Sequence, residues 1–210
     1  MRYPIFISPD TYLKTVKGTW GFSFFKQRGE QWVLDRCLAA LPDIRLVCDV
    51  PCGAGRLFEY WGRKGYRVIG VDLSIPMIRA AGEELLRLNL SGYSLYGDIF
   101  SLNDHLQESP DLVACVRFVY YFEKPQRIKL LQTLRAASSH YVLVQYKTMD
   151  TFRGRITMRR STKLGIPSLK QYCSLSEIRE ELNEAGLSII RLIPISQFSD
   201  RVFIVAKKTF

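Results

Sequence analysis

The segment Leu46–Asp72, LVCDVPCGAGRLFEYWGRKGYRVIGVD, constrains this chain more than any other. Leu46–Val50 is a short apolar run with β-branched residues, the pattern of a strand buried in a parallel sheet. Asp49, Gly53 and Gly55 stand in it and just after it as D-x-x-x-G-x-G. Gly53 and Gly55 have no Cβ and accept positive φ, so the chain can turn sharply and a ligand can rest against its backbone. A helix is expected to open near Arg56, with its free N–H groups facing that ligand. Arg67–Val71 reads as a second strand, and it ends at Asp72. An acidic side chain there can accept hydrogen bonds from both hydroxyls of a ribose. Strand, glycine turn, helix, strand and acid describe a cradle for an adenosine-containing ligand.

The turn itself narrows the choice. A dinucleotide fingerprint G-x-G-x-x-G would place a third glycine where Phe58 stands, and Phe58 is too large for the close contact that glycine allows. The phosphate-binding pattern G-x-x-x-x-G-K-[ST] is absent. A two-glycine turn with an acid one strand later resembles the class I S-adenosylmethionine methyltransferases. Asp72-Leu73-Ser74-Ile75-Pro76-Met77-Ile78-Arg79-Ala80 is similar to their D-x-S-x-x-M-[IL]-x-x-A segment. Ser74 suits an N-cap and Pro76 a first helical turn. The resemblance implies an α/β fold: a Rossmann-like, doubly wound sheet of seven mostly parallel strands with a C-terminal antiparallel hairpin. It implies S-adenosylmethionine as cofactor and S-adenosylhomocysteine as product. It implies cofactor contacts from Asp49, Pro51, Cys52, Gly53, Gly55, Asp72, Leu73, Met77, Asp98, Ile99 and Arg117. In the family, an acid at the place of Asp98 hydrogen-bonds the adenine amino group; the competing role is a turn aspartate, because Gly97-Asp98 is also turn chemistry. The likeness covers roughly Leu46 to Lys208, closest through Ala80 and organisational beyond Tyr121.

Strand and helix patterns continue to alternate. Met77–Leu90 reads as a helix, Ser94–Ile99 as the third strand and Asp111–Phe118 as the fourth. Ligands of open parallel sheets bind outside the carboxyl ends of the strands. Arg117, Phe118, Val119, Tyr120 and Tyr121 are therefore expected near the transferred methyl group. An arginine closing a buried strand is costly unless paired, so Arg117 should face the cofactor carboxylate, the acceptor or a nearby acid. Tyr120 and Tyr121 are the candidate catalytic pair, shaping the acceptor pocket and meeting the sulfonium by cation–π attraction. A wall of core aromatics is the equal alternative for both. Lys124–Ser138 reads as a helix and His140–Tyr146 as the fifth strand. Ser174 and Glu177 match a capping box, and Gly186 suits the end of that helix. Ser188–Ile195 and Arg201–Lys207 complete a hairpin. Before the cradle, Gln31–Leu41 looks helical, and Tyr12, Trp20, Phe22, Phe24 and Phe25 make an aromatic entry. In this family an N-terminal segment often covers the cofactor, which offers Trp20 and Arg28 to the acceptor pocket; for most of these aromatics, packing onto the sheet edge is the favoured alternative.

A chain of 210 residues suits a single domain. Its expected parts are an N-terminal cap (1–45), a cofactor core (46–146), a basic acceptor-side insertion (147–170) and a C-terminal helix with closing strands (171–210). Five widely spaced cysteines and no C-x-x-C pattern imply reduced thiols, no metal and a cytoplasmic location. No apolar run is long enough to span a bilayer. The formal net charge is +10, and 147–170 holds seven basic residues against one acidic residue. Such a patch draws an anionic partner, whether a carboxylated or phosphorylated small molecule, nucleic acid or an acidic membrane surface; a solvated basic loop that only aids solubility is the equal alternative. Arg153, Arg155, Arg159 and Arg160 are the candidate acceptor contacts. Nucleic acid is not favoured. The N/D-P-P-Y motif of adenine amino methyltransferases is absent after the fourth strand, where Arg117-Phe118-Val119-Tyr120 stands. The Pro51-Cys52 pair lies in the cofactor turn, away from the place of a cytosine-attacking cysteine. His140 opens its strand at the wrong end for a base, and His105 is expected to be exposed. These features point to methyl transfer onto a small-molecule, sugar or lipid-linked acceptor, with an RNA or protein methyltransferase, or a non-catalytic cofactor-binding protein, as alternatives.

Overall fold

The computed structural model describes residues 22–39, 41–164, 170–196 and 198–209, with backbone alone for 22–28 and 161–164. The elements are α1 (Phe22–Leu38), β1 (Leu46–Asp49), α2 (Phe58–Arg63), β2 (Arg67–Asp72), α3 (Ile75–Arg87), β3 (Gly92–Tyr96), β4 (Leu112–Cys115), α4 (Lys124–Ala137), β5 (Tyr141–Lys147), α5 (Phe152–Leu164), α6 (Leu175–Glu184), β6 (Leu187–Pro194) and β7 (Arg201–Lys208). One seven-stranded sheet runs β3-β2-β1-β4-β5-β7-β6. Its first five strands are parallel, and β7 runs antiparallel between β5 and β6. This is the sheet expected from the alternating patterns and the closing hairpin. From β1 the chain winds outward to β3, then returns to lay β4 on the other side of β1. The crevice above β1 and β4 is therefore the switch point where open sheets bind ligands.

Alternation of side chains feeds two cores. Cys48, Ile69, Val113 and Val144 face one side with Leu131 of α4 and Ile178 of α6. Val47, Leu112, Leu143 and Phe203 face the other with Leu34 of α1, Phe58 and Trp61 of α2 and Ala81 of α3. Every residue of β1 and β4 is buried, which explains their continuous apolar runs. Phe58 resolves the missing third glycine. A Cβ on Gly70 of β2 would stand 2.5 Å from the Phe58 ring and 3.1 Å from Cys52 Sγ. The close helix–strand contact is thus made with the glycine on the strand and the aromatic ring on the helix.

Several boundaries shift for identifiable reasons. Residues 53–57 form turns, so α2 opens at Phe58 and not near Arg56. β3 ends at Tyr96, because the Asp98 carboxylate accepts from Phe100 N at 2.9 Å and starts a 3-10 turn over Ile99–Asp104. β4 ends at Cys115; Arg117, expected inside that strand, adopts φ 63° and turns the chain away. α1 begins nine residues before the Gln31 expected from the pattern and ends at Leu38. Within it Leu34 and Leu38 are buried as expected, whereas Trp32 is exposed beneath the Arg36 guanidinium. The basic insertion contains a helix, α5. The capping box at Ser174 and Glu177 is formed, and Gly186, at φ 71°, follows the last residue of α6's cap.

Candidate cofactor and acceptor site

The cradle is assembled by backbone hydrogen bonds from both neighbouring strands. Val50 N donates to Ala114 O of β4, and Cys52 N donates to Val71 O of β2, each at 2.9 Å. Gly53 and Gly55 take φ 55° and 77°, the conformation for which glycine suits them. The Asp72 carboxylate then fastens the turn to α3. Its Oδ2 accepts from Gly53 N and its Oδ1 from Ser74 N, both at 2.9 Å. Each carboxylate oxygen has a second lone pair for a ligand hydroxyl. Burial pushes the Asp72 carboxyl above its ordinary value against the opposing pull of the Ser74, Gly53 and Leu73 amides. Ser74 takes the N-cap position, but its side chain makes no capping bond.

Met77 and Ile99 are buried, while Pro51, Leu73 and Asp98 are half-buried. Asp98 does act as a turn aspartate, placed just after β3 at the carboxyl end of that strand. Asp49 is 3% exposed and accepts from Trp61 Nε1 at 3.4 Å. Burial carries its carboxyl up to about 7, in spite of Arg56 and the Trp61 N–H. Cys52 is buried, its thiol donating to Gly53 O at 3.3 Å, and burial raises it well above its ordinary value. A buried thiol held protonated is no nucleophile, as its place in the turn led us to expect. All five cysteines are buried and free.

Glu30 of α1 is the main site residue that the sequence patterns did not single out. It is 1% exposed. It accepts from Arg56 Nη1 at 2.6 Å and from Arg117 Nε and Nη2 at 3.2 and 3.0 Å. Arg117 therefore faces a nearby acid, one of the three roles expected for it. Burial pushes the Glu30 carboxyl up, and the two guanidiniums, Arg56 foremost, bring it below its ordinary value. A signal was available: Glu30, Val33, Leu34 and Cys37 share one face at helical spacing and are all buried. Gln145 of β5, fully buried, approaches Glu30 through Nε2 at 3.5 Å, and its Oε1 has no hydrogen-bond partner among the described residues.

The residues expected on the acceptor side lie at the ends of β4 and β5 and on α5. Tyr120 is buried and Tyr121 half-buried, with ring centroids 5.0 Å apart. Burial raises both phenols, which favours their protonated, hydrogen-bond-donating form. Lys147, expected as part of a basic surface, is instead buried. It donates to Asp200 Oδ2 and, at 3.0 Å, to the Tyr172 hydroxyl, which itself donates to Asp200 Oδ2 at 2.6 Å. Arg153, Arg155, Arg159 and Arg160 are exposed on α5. That helix packs closely, since a Cβ on Gly154 would stand 2.0 Å from Thr148 O. Trp20 and the Arg28 side chain lie outside the described residues. His140 sits at the amino end of β5 near Asp111, remote from the site. His105 is half-buried and 3.2 Å from Ser101 Oγ, not exposed as expected. Among the described residues no group of three or more His, Cys, Asp or Glu could hold a metal, and no helix is long and apolar enough to cross a membrane.

A switch-point crevice with a glycine turn on one side and an acid closing β2 defines a nucleoside-binding Rossmann-like domain. Residues 47–139 match the family model described as "Methyltransferase domain". The segment that builds the cradle belongs to the Rossmann-like family of S-adenosylmethionine-dependent methyltransferases. The chain is 30% identical over 159 residues to an uncharacterized RNA methyltransferase from Clostridium acetobutylicum, covering 63% of this chain and 34% of the relative. It is 27% identical over 152 residues to the ubiquinone biosynthesis O-methyltransferase of Xylella fastidiosa, covering 68% and 61%. It thus spans about a third and three fifths of those relatives. The fold is shared with the crystal structure of magnesium protoporphyrin IX methyltransferase from Synechocystis PCC 6803 with bound S-adenosylhomocysteine. That match has a TM-score of 0.72 and 19% identity, and covers 91% of this chain and 89% of the other.

Proposed function

We propose that this chain is an S-adenosylmethionine-dependent methyltransferase whose acceptor is a small anionic molecule. The observation that carries the reading is the Asp72 carboxylate, which holds the glycine turn to α3 while offering both oxygens at the crevice. The residues fit the cofactor. The turn brings backbone within reach of a ligand, Asp72 suits the ribose hydroxyls, Asp98 and Ile99 would meet the adenine, and Leu73 and Met77 would flank them. Pro51, Gly53, Gly55 and Asp49 would enclose the methionyl end. Arg117, engaged by Glu30, would lie beside it.

The cofactor would supply a methyl group already activated on a sulfonium. The protein's share is then positioning and exclusion of water, and orientation alone is worth about 7–11 kcal/mol. Tyr120 and Tyr121 would wall the acceptor and orient it by O–H donation. Arg153, Arg155, Arg159 and Arg160 would raise the local concentration of an anion, because a field of one sign steers encounter. The ubiquinone-pathway relative supports a small-molecule acceptor. The basic helix and the RNA-methyltransferase relative support a polyanionic acceptor as a second reading.

Thermal unfolding with S-adenosylhomocysteine and with NAD tests the cofactor. A ligand at about 100 times its Kd adds about 2.7 kcal/mol, a shift of several degrees for a domain of this size. The shift is expected with S-adenosylhomocysteine alone and is expected to shrink strongly in Asp72→Asn, which keeps an acceptor for one of the two amides. A shift with NAD alone would end the reading.

A further inference from the structure

Two cations meet at the carboxyl end of β5. Lys147 lies directly opposite Arg201 in the antiparallel ladder with β7. Like charges in that position repel, yet the nearby acids are already engaged. Asp200 is taken by Lys147 and the Tyr172 hydroxyl. Glu30 is shared by Arg56 and Arg117. Arg201 is half-buried, and among the described residues its guanidinium makes no hydrogen bond or ion pair. It is close enough to act electrostatically on Tyr120, Tyr121, Arg117 and Lys147. The Tyr121 hydroxyl likewise has no hydrogen-bond partner among the described residues. Asp200 also feels the charge of Arg201, but a partly desolvated guanidinium with no anion hydrogen-bonded to it is costly in the empty protein and rewards one that arrives.

We propose that Arg201, with Tyr121 as a further donor, is the subsite for a carboxylate on the methyl acceptor. This rests on the small anionic acceptor proposed above and names the residue that touches its charge. The guanidinium fork offers two parallel N–H groups that match a planar carboxylate. Tyr121 adds an O–H. The Lys147–Asp200–Tyr172 cluster sits beneath as a fixed floor, with the Lys147 ammonium 5.8 Å from the Tyr120 ring. The exposed arginines of α5 are solvated and screened, so they steer the anion but do not fix its orientation. An acceptor held by its carboxylate at the end of β7 would extend across the Tyr120–Tyr121 wall toward the crevice above β1 and β4, where the methyl group would be presented.

The test is calorimetry on protein loaded with S-adenosylhomocysteine, using 4-hydroxybenzoate and its neutral analogue 4-hydroxybenzyl alcohol as probes. Arg201→Gln is expected to weaken 4-hydroxybenzoate binding about 10-fold or more, Arg201→Lys to recover only part of it, and Tyr121→Phe to give a smaller loss. S-adenosylhomocysteine affinity should be unchanged in Arg201→Gln, which also shows that the variant is folded. The neutral alcohol should not distinguish Arg201→Gln from the wild type. The remote exposed variant Arg179→Gln should leave both probes unaffected. Equal 4-hydroxybenzoate affinity in wild type and Arg201→Gln, or no 4-hydroxybenzoate binding to the loaded wild type, overturns the subsite alone. Failure to bind S-adenosylhomocysteine removes the functional reading and the subsite with it.

Discussion

Asp49 shows what burial does to one side chain. It closes β1 directly beneath the glycine turn, and only the Trp61 N–H and the charge of Arg56 oppose its desolvation. Its carboxyl rises from an ordinary 3.8 to about 7 in the folded chain. The folded protein therefore holds this proton where the unfolded chain has lost it. Stability of the ligand-free protein is expected to fall as pH rises from about 4 to about 7, at up to about 1.4 kcal/mol per pH unit from this group. Denaturant titrations at several pH values should show that slope in the wild type and its loss in Asp49→Asn. The same slope in both proteins would mean that Asp49 ionises normally. Asp72 is also raised by burial, but three backbone amides oppose the rise. Two acids a strand apart thus differ because one has donors and the other has almost none.

At the scale of elements, Glu30 ties α1 to the two loops that frame the crevice. Arg56 belongs to the glycine turn and Arg117 to the bend after β4, so one carboxylate joins helix, turn and bend. Removing a partner from a buried ion pair costs about 3–5 kcal/mol, because the remaining charges are left desolvated. Glu30→Gln is expected to destabilise by about that much at neutral pH, in urea unfolding followed by circular dichroism. The sign with pH follows from the lowered carboxyl. Its contribution is complete above the ordinary value of 4.5 and is lost as pH falls below it. Wild type and Glu30→Gln should therefore converge in acid. A stability difference that persists undiminished well below pH 4.5 would place the effect in packing. The contact of Phe58 with Gly70 works at the same scale, as a size match between helix and strand.

Across the whole molecule, the excess positive charge divides into two populations. Lys147 and Arg117 are drawn into paired clusters at the sheet's carboxyl end. The arginines of α5 remain in water. Screening separates their effects, since exposed charges act over about 8 Å at 0.15 M salt. Arg159→Gln combined with Arg160→Gln is expected to raise the KM for an anionic acceptor several-fold at low ionic strength, with less effect as salt increases and no change in kcat. A KM that does not respond at any salt concentration would make these arginines a solubility feature. Tight RNA binding with a steep salt slope, lost in the same variant, would favour the polyanionic acceptor instead.

The local pattern of residues 46–80 determined the cradle, because each requirement there is met by neighbours in sequence. Apolar runs make strands, glycines make the turn, and the acid at the end of β2 falls beside it. The two apolar hairpin strands likewise foretold the closing of the sheet. The charged residues were different. The helical face shared with Val33, Leu34 and Cys37 hints that Glu30 is buried, but nothing near Glu30, Lys147 or Arg201 in the chain names an opposite charge. Glu30 finds its partners 26 and 87 residues away, and Lys147 finds Asp200 53 residues away. A surface charge and a buried ion pair look alike in sequence because the partner's position depends on how the sheet is ordered. Only the tertiary structure, by setting β7 against β5 and α1 against β6 and β7, decided which of these cations were paired, among the described residues, and which was not.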